Sequence, residues 1–171
     1  MPRTDVPRPA EPTRIGVTGH RILPAAVLPS VREGIRKLLS GADLEALTSL
    51  AAGADQLFAD IALDEGVQVT AVIPGMNGTE YESHLGDAET RAGYRRLLGS
   101  CGTRVDMPLE PTHEQAYFAA GCWIVDHCDL LIAVWDGRPA LGPGGTGDVV
   151  EYARHAGVAV VVLWVPGVSR G

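Results

Sequence analysis

The run Gly142-Pro143-Gly144-Gly145-Thr146-Gly147-Asp148-Val149-Val150-Glu151 sets glycine-rich backbone, a hydroxyl and two carboxylates side by side. Glycines let the main chain approach a ligand closely, and the N–H groups of a following first helical turn have no partner inside the helix. With the aligned peptide dipoles they form an anion cradle, whose usual occupant is a phosphate. Asp148 and Glu151 can hold sugar hydroxyls or do acid–base chemistry. Their spacing is also that of a capping box, which would simply close the helix N-terminus. Capping alone does not require Gly144, Gly145 and Gly147 together.

Two earlier segments carry similar chemistry. Thr18-Gly19-His20-Arg21 offers a hydroxyl, open backbone, an imidazole and a guanidinium that can clamp a phosphate or carboxylate with two parallel bonds. Ser49-Leu50-Ala51-Ala52-Gly53-Ala54-Asp55 is built of small residues that permit close approach of a ligand or another backbone. Asp55 either suits the dipole of a helix N-terminus or accepts from ribose hydroxyls. Asp136-Gly137 leads into the glycine-rich run. Tyr81 can stack on a base or pack in a core, whereas Trp123, Trp135 and Trp164 read as core residues.

The elements that must position these groups alternate between strand and helix signals. Residues 14–17 read as a first strand, ended by Thr18-Gly19. Ser30-Val31-Arg32-Glu33 has the form of a capping box opening a helix to Leu39, with Gly41 beyond it. Residues 44–50 form a second strand, followed by Gly53 and a helix to about Glu65. Residues 67–73 form a third strand, ended by Pro74-Gly75, and a helix spans about 88–98. Residues 103–107 give a fourth strand, and Thr112-His113-Glu114-Gln115 caps a helix to about Asp126. The apolar runs 130–135 and 159–165 look like strands buried on both faces, as in a parallel sheet covered by helices. The pattern predicts a single-domain α/β, Rossmann-like, doubly wound and mostly parallel sheet with helices on both faces. The domain spans residues 14–165, between a Pro-rich tail at 1–13 and a short tail at 166–171. In such sheets ligands bind beyond the carboxyl ends of the strands, where the three unusual segments fall.

Bulk properties narrow the function. The chain has 171 residues and a net charge of −7, and it lacks the basic stripe of a duplex nucleic-acid binder. No apolar run approaches the roughly 20 residues needed to span a bilayer, and no signal-peptide pattern is seen, so a cytoplasmic location is expected. Cys101, Cys122 and Cys128 give neither a paired disulfide framework nor a metal-ligand spacing, and read as buried thiols. Thr18-Gly19-His20-Arg21 is neither a Gly-x-Gly-x-x-Gly fingerprint nor a Walker loop, and no metal or resident cofactor is expected.

In order along the chain, Ile15-Gly16-Val17-Thr18-Gly19-His20-Arg21, then Ser49-Leu50-Ala51-Ala52-Gly53-Ala54-Asp55, then residues 129–137 with Gly144-Gly145-Thr146, resemble the SLOG superfamily. This Rossmann-like group includes DprA, the YpsA-type proteins and the LOG (Lonely Guy) phosphoribohydrolases. The resemblance covers roughly residues 14–165 and implies a parallel α/β sheet with a pocket for nucleotides or nucleotide-derived ligands. It also implies homo-oligomerisation.

LOG enzymes carry Pro-Gly-Gly-x-Gly-Thr-x-x-Glu, and residues 143–151 match it at every fixed position but one, where Asp148 replaces Thr. In that family the glycines and Thr bind a nucleoside monophosphate, and the Glu, here Glu151, takes part in cleaving base from ribose 5-phosphate. The arginine of the preceding helix falls at Ala120, and a loop at 136–142 is extra. A carboxylate about 4 Å from a phosphate repels it by roughly 4 kcal/mol at an intermediate effective dielectric. The departures therefore favour the YpsA-like branch.

The expectation is a binding domain for a nucleotide-like small molecule, with a sensor as one role open to it. Its cradle would comprise Thr18, Gly19, His20, Arg21, Ser49, Gly53, Gly137, Gly144, Gly145, Thr146 and Gly147, with Asp55, Asp136 or Asp148 on ribose hydroxyls and Tyr81 on the base. The alternative is LOG-like N-glycosidic hydrolysis with Glu151 stabilising the cationic sugar and Arg21 or Arg138 standing in for the missing arginine. The charge balance argues against nucleic acid as a partner, and no membrane is implied.

Overall fold

The computed structural model describes residues 11–170. Most of the expected tail at 1–13 lies outside them, and Thr13 already belongs to the first strand. Six strands, β1 (Thr13–Gly19), β2 (Leu44–Thr48), β3 (Gln68–Met76), β4 (Thr103–Glu110), β5 (Leu130–Val134) and β6 (Ala159–Leu163), alternate with five α-helices. The helices are α1 (Leu28–Leu38), α2 (Ala54–Asp64), α3 (Ala88–Ser100), α4 (His113–His127) and α5 (Thr146–His155). The strands form one sheet in the order β4-β3-β2-β1-β5-β6, and every pairing is parallel. The doubly wound α/β expectation is met.

Alternation of side chains along each strand divides the core. Ile15 and Val17 of β1 and Ala46 of β2 face Ile35 of α1 and Phe58 of α2. Leu47 of β2 and Leu131 of β5 meet Ile124 of α4 and Val149 of α5 on the other side. A Cβ at Gly16 would run into Ile124 and Cys128, so this glycine lets α4 lie close on β1. The chain steps outward from β1 to β4 with α1, α2 and α3 on one face. It then returns through α4, which packs on β3 and β1, and enters β5 beside β1. Connections leave β1 and β5 toward opposite faces, opening a crevice between their carboxyl ends.

Several boundaries differ from the sequence reading. The Ser30–Glu33 capping box does not form: a 3-10 turn at Ala25–Val27 feeds the helix directly, α1 begins at Leu28, and Pro29 occupies its first turn, where a missing N–H costs nothing. Pro74-Gly75 does not end β3, which runs on to Met76 through a register shift between Ile73 and Gly75. A Cβ at Gly75 would meet the carbonyl oxygen of Met107 at 2.6 Å, so the glycine admits the neighbouring edge strand at an irregularity that also tolerates proline. The Thr112–Gln115 capping box forms as expected. Burial on both faces holds for β5 but not for β6, because the strand order puts β6 at the sheet edge, where Val162 is exposed. The three cysteines are free and half-buried, and burial pushes the Cys122 and Cys128 thiols up to about 11.

Candidate functional site

The tip of β1 is stitched to both neighbours. His20 N–H donates to Val134 O of β5 at 3.1 Å, and Ala54 N–H at the start of α2 donates to His20 O at 3.1 Å. This convergence leaves no room for a side chain at Gly19, whose Cβ would lie 2.9 Å from Val134 O. Beside it, Gly53 adopts φ 75°, ψ −117°, and a Cβ there would overlap His20 O at 2.5 Å and Arg21 O. Both glycines therefore serve close backbone approach at the strand tips.

His20 is buried, and its Nε2 accepts from Asp136 N–H at 3.2 Å. Burial, then the Arg170 charge, lower its pKa despite the nearby Asp136 carboxylate. The neutral Nδ1–H tautomer fits this arrangement. The ring also stands edge-on to Trp164 at 5.3 Å between centroids. His20 thus links β1 to the turn after β5.

That turn is built around Asp136, whose side chain is 2 % exposed. Arg138 N–H donates to Asp136 Oδ1 at 3.1 Å, with Gly137 at φ 82° between them. Arg170 reaches the same carboxylate through two bonds of 2.7 Å and also donates to Arg138 O and Pro139 O. Burial would raise the Asp136 carboxyl, but the Arg170 pair, the Arg138 N–H and His20 more than offset it and hold it at about 2. The segment expected as a C-terminal tail turns back instead, with Trp164 Nε1 donating to Val168 O at 2.7 Å. It fastens the extra loop at 136–142. Arg170→Ala should leave Asp136 buried without its cation and lower stability by about 3 kcal/mol near neutral pH, read as a lower denaturation midpoint. Because Asp136 is depressed from 3.8, the wild-type gain is present above that value and fades as pH falls through about 2.

The glycine-rich segment has more structural content than capping. Its N-cap is Gly145, with no side-chain cap, so the Asp148–Glu151 capping box does not form. Asp148 sits in the first turn of α5 and reaches back to accept Gly144 N–H at 2.7 Å. Gly144 is at φ 80°, and its Cβ would lie 2.6 Å from Glu114 O. Cβ atoms at Gly145 and Gly147 would press on Ala140 at about 3 Å, so these glycines admit the extra loop.

These parts enclose one cavity of about 440 Å³ beyond the ends of β1, β2 and β5. Thr18, Gly19, His20 and Arg21 line it from β1, and Ser49, Ala51 and Asp55 from the β2–α2 junction. Gly144, Gly145 and Thr146 close the opposite end. The expected Gly53, Asp136, Gly137, Gly147 and Asp148 stand behind this wall, shaping backbone or tying loops. Tyr81 is buried in the core, edge-on to Tyr94 and Tyr117, and is not on the wall. Glu151 is exposed on α5, outside the wall. Ala120 is fully buried where the LOG alignment puts an arginine, and Arg138 does not line the cavity.

The wall residues that escaped the sequence reading include Glu114 and Tyr117 on α4, Leu141 on the extra loop, and Arg170. The signal for Tyr117 was weak, since its role appears only when Arg21 lies 4.2 Å over its ring. Arg21 and Arg170 are the cations of the wall, and Arg170 is already paired. Among the described residues no group of three His, Cys, Asp or Glu side chains could hold a metal ion, and no helix is long and apolar enough to cross a membrane.

No family model and no curated protein matches the chain. Solved structures do. DNA processing protein A of Streptococcus pneumoniae is 20% identical over 92% of this chain, with a TM-score of 0.65. The Helicobacter pylori protein of the same name, solved for its single-stranded DNA binding mode, is 13% identical over 89%, with a TM-score of 0.65. This chain spans only 51% and 65% of those two chains. The molybdenum cofactor binding protein of Rippkaea orientalis is 16% identical over 89% of this chain and 76% of its own, with a TM-score of 0.58. The chain therefore shares the Rossmann-like α/β fold of these structures.

Proposed function

We propose that the chain binds a nucleotide or nucleotide-derived small molecule in the cavity beyond β1, β2 and β5. One observation carries the reading: the three segments singled out for their chemistry are far apart in sequence yet line a single cavity at the crevice where connections change face. Arg21 supplies a cation, Thr18 and Ser49 supply hydroxyls, and Gly145 with Thr146 presents the start of α5. A neighbour of the same fold is named for binding a molybdenum cofactor, which supports small-molecule binding.

The geometry gives N-glycosidic cleavage less support. Glu151 is exposed outside the wall, and Asp148 is committed to Gly144 N–H. Glu151→Ala should leave affinity within about twofold, as a surface substitution does. Arg21→Ala should weaken binding by roughly tenfold or more, the scale of a charge-assisted contact. Calorimetric titration with nucleoside mono-, di- and triphosphates, sugar nucleotides and a single-stranded oligonucleotide tests this. Binding of a small molecule, weakened in the Arg21 variant, supports the reading. Silence across the panel, or binding of the oligonucleotide alone, refutes it.

A further inference from the structure

We infer, resting on the reading of the cavity as a nucleotide-type site, that Asp55 recognises the ligand's heterocycle and that this ring presents two adjacent N–H donors, the 2-amino-4-oxopyrimidine edge. Guanine carries that edge, and so do pterins.

Asp55 is 8 % exposed and lines the cavity. Its Oδ2 accepts Ala51 N–H at 3.3 Å, and among the described residues no cationic side chain is bonded to the carboxylate. Arg21, the nearest cation acting on it, is drawn over the Tyr117 ring instead. A buried carboxylate has more acceptor positions than the Ala51 and Ser49 N–H groups can fill, and buried polar groups are satisfied by donors. Ser49, also buried, adds its hydroxyl to the same wall.

An ionised Asp55 repels a phosphate at this end. The other end offers the start of α5 at Gly145 and Thr146, where the Asp148 carboxylate is turned back onto Gly144 N–H. The ligand then lies across the tip of β1, ring toward β2 and anion toward β5. A ring N–H beside an exocyclic amine gives two parallel donors that match the two carboxylate oxygens. The adenine edge turns a lone pair toward one of them, and hypoxanthine lacks the amine.

Burial pushes the Asp55 carboxyl up to about 7, partly offset by the Ala51 N–H, Arg21 and the Ser49 N–H. The other titratable groups that act with it are Tyr81 and Tyr117, both of which its charge raises. An N–H pair on the carboxylate stabilises its charged form, so binding below about pH 7 releases a proton. A merely structural Asp55 would show no such coupling.

The test is calorimetry with GMP, IMP, AMP and neopterin at about pH 6, in two buffers of different ionisation enthalpy. GMP should bind roughly tenfold or more tighter than IMP and AMP, with proton release. Asp55→Asn should bring the three nucleotides within about twofold and abolish the release. Neopterin binding tighter than GMP would make free pterins the source of the edge. Nucleotide binding without preference, preference for AMP, or a preference surviving in Asp55→Asn overturns the inference while leaving the site reading intact. No binding of any of the four, or of the wider panel, refutes the site reading itself. Wild-type selectivity and proton release do not depend on the variant's folding.

Discussion

Gly53→Ala should lower stability by roughly 3–5 kcal/mol and abolish ligand binding even in the molecules that still fold. Gly53 sits at φ 75°, ψ −117°, a backbone region open essentially to glycine alone. A methyl group there also overlaps the carbonyl oxygens of His20 and Arg21, and backbone cannot step aside as a flexible side chain can. His20 O is the acceptor of Ala54 N–H, so displacing it loosens the junction between β1 and α2. That junction carries Arg21 on one side and Asp55 on the other. Denaturant titration should show a lower midpoint with an unchanged slope. Gly66→Ala is the control: that glycine also has positive φ, 72°, but nothing lies near its Cβ and it is remote from the cavity. It should cost only about 1–2 kcal/mol and spare binding. Equal losses for the two variants would show that the crowding at Gly53 is not what matters.

Asp55→Asn should stabilise the unliganded protein at about pH 8 by as much as 4 kcal/mol and remove most of its pH dependence between about 4 and 7. The sign follows from the carboxyl group being raised from 3.8 to about 7. Below pH 3.8 it is protonated in both folded and unfolded chains and contributes no difference. As pH rises, the unfolded chain ionises first while burial keeps the folded group neutral, so the folded state loses ground. The loss grows until about pH 7 and is then constant. Asparagine cannot ionise, and it retains an oxygen for the Ala51 N–H. Denaturation midpoints across this range should fall for the wild type and stay nearly flat for the variant. Parallel curves would mean that Asp55 is ionised in the fold at all these pH values. A gain in stability at the expense of ligand binding is what a residue kept for binding predicts.

The fold was readable because its signals are local. Apolar runs bounded by glycine marked β5, and the Thr112–Gln115 box marked the start of α4. The order of strand and helix signals then implied a parallel sheet. Element ends were less readable, since they depend on neighbours: Pro74-Gly75 looks like a stop, but pairing with β4 carries β3 past it. The edge position of β6 is likewise a property of strand order, not of its own residues.

In the site, the three strand-tip segments were readable because glycine and small polar residues there have few other uses. What they do individually was not. Gly53 and Gly147 are required by carbonyls and a loop approaching from elsewhere in the chain. Asp148 seemed to cap a helix, yet it folds onto Gly144. Tyr81 offered an aromatic ring, but two other tyrosines enclose it in the core. Glu114, Tyr117 and Arg170 reach the cavity only through tertiary packing, so no local pattern marked them.

Hydrogen–deuterium exchange with and without the tightest ligand of the calorimetric panel tests the convergence of the three segments most directly. Protection should appear together at residues 18–21, 49–55 and 140–146, with little change along α3 or β6. Protection confined to one segment, or centred away from these strand tips, would contradict the single cavity as the ligand site.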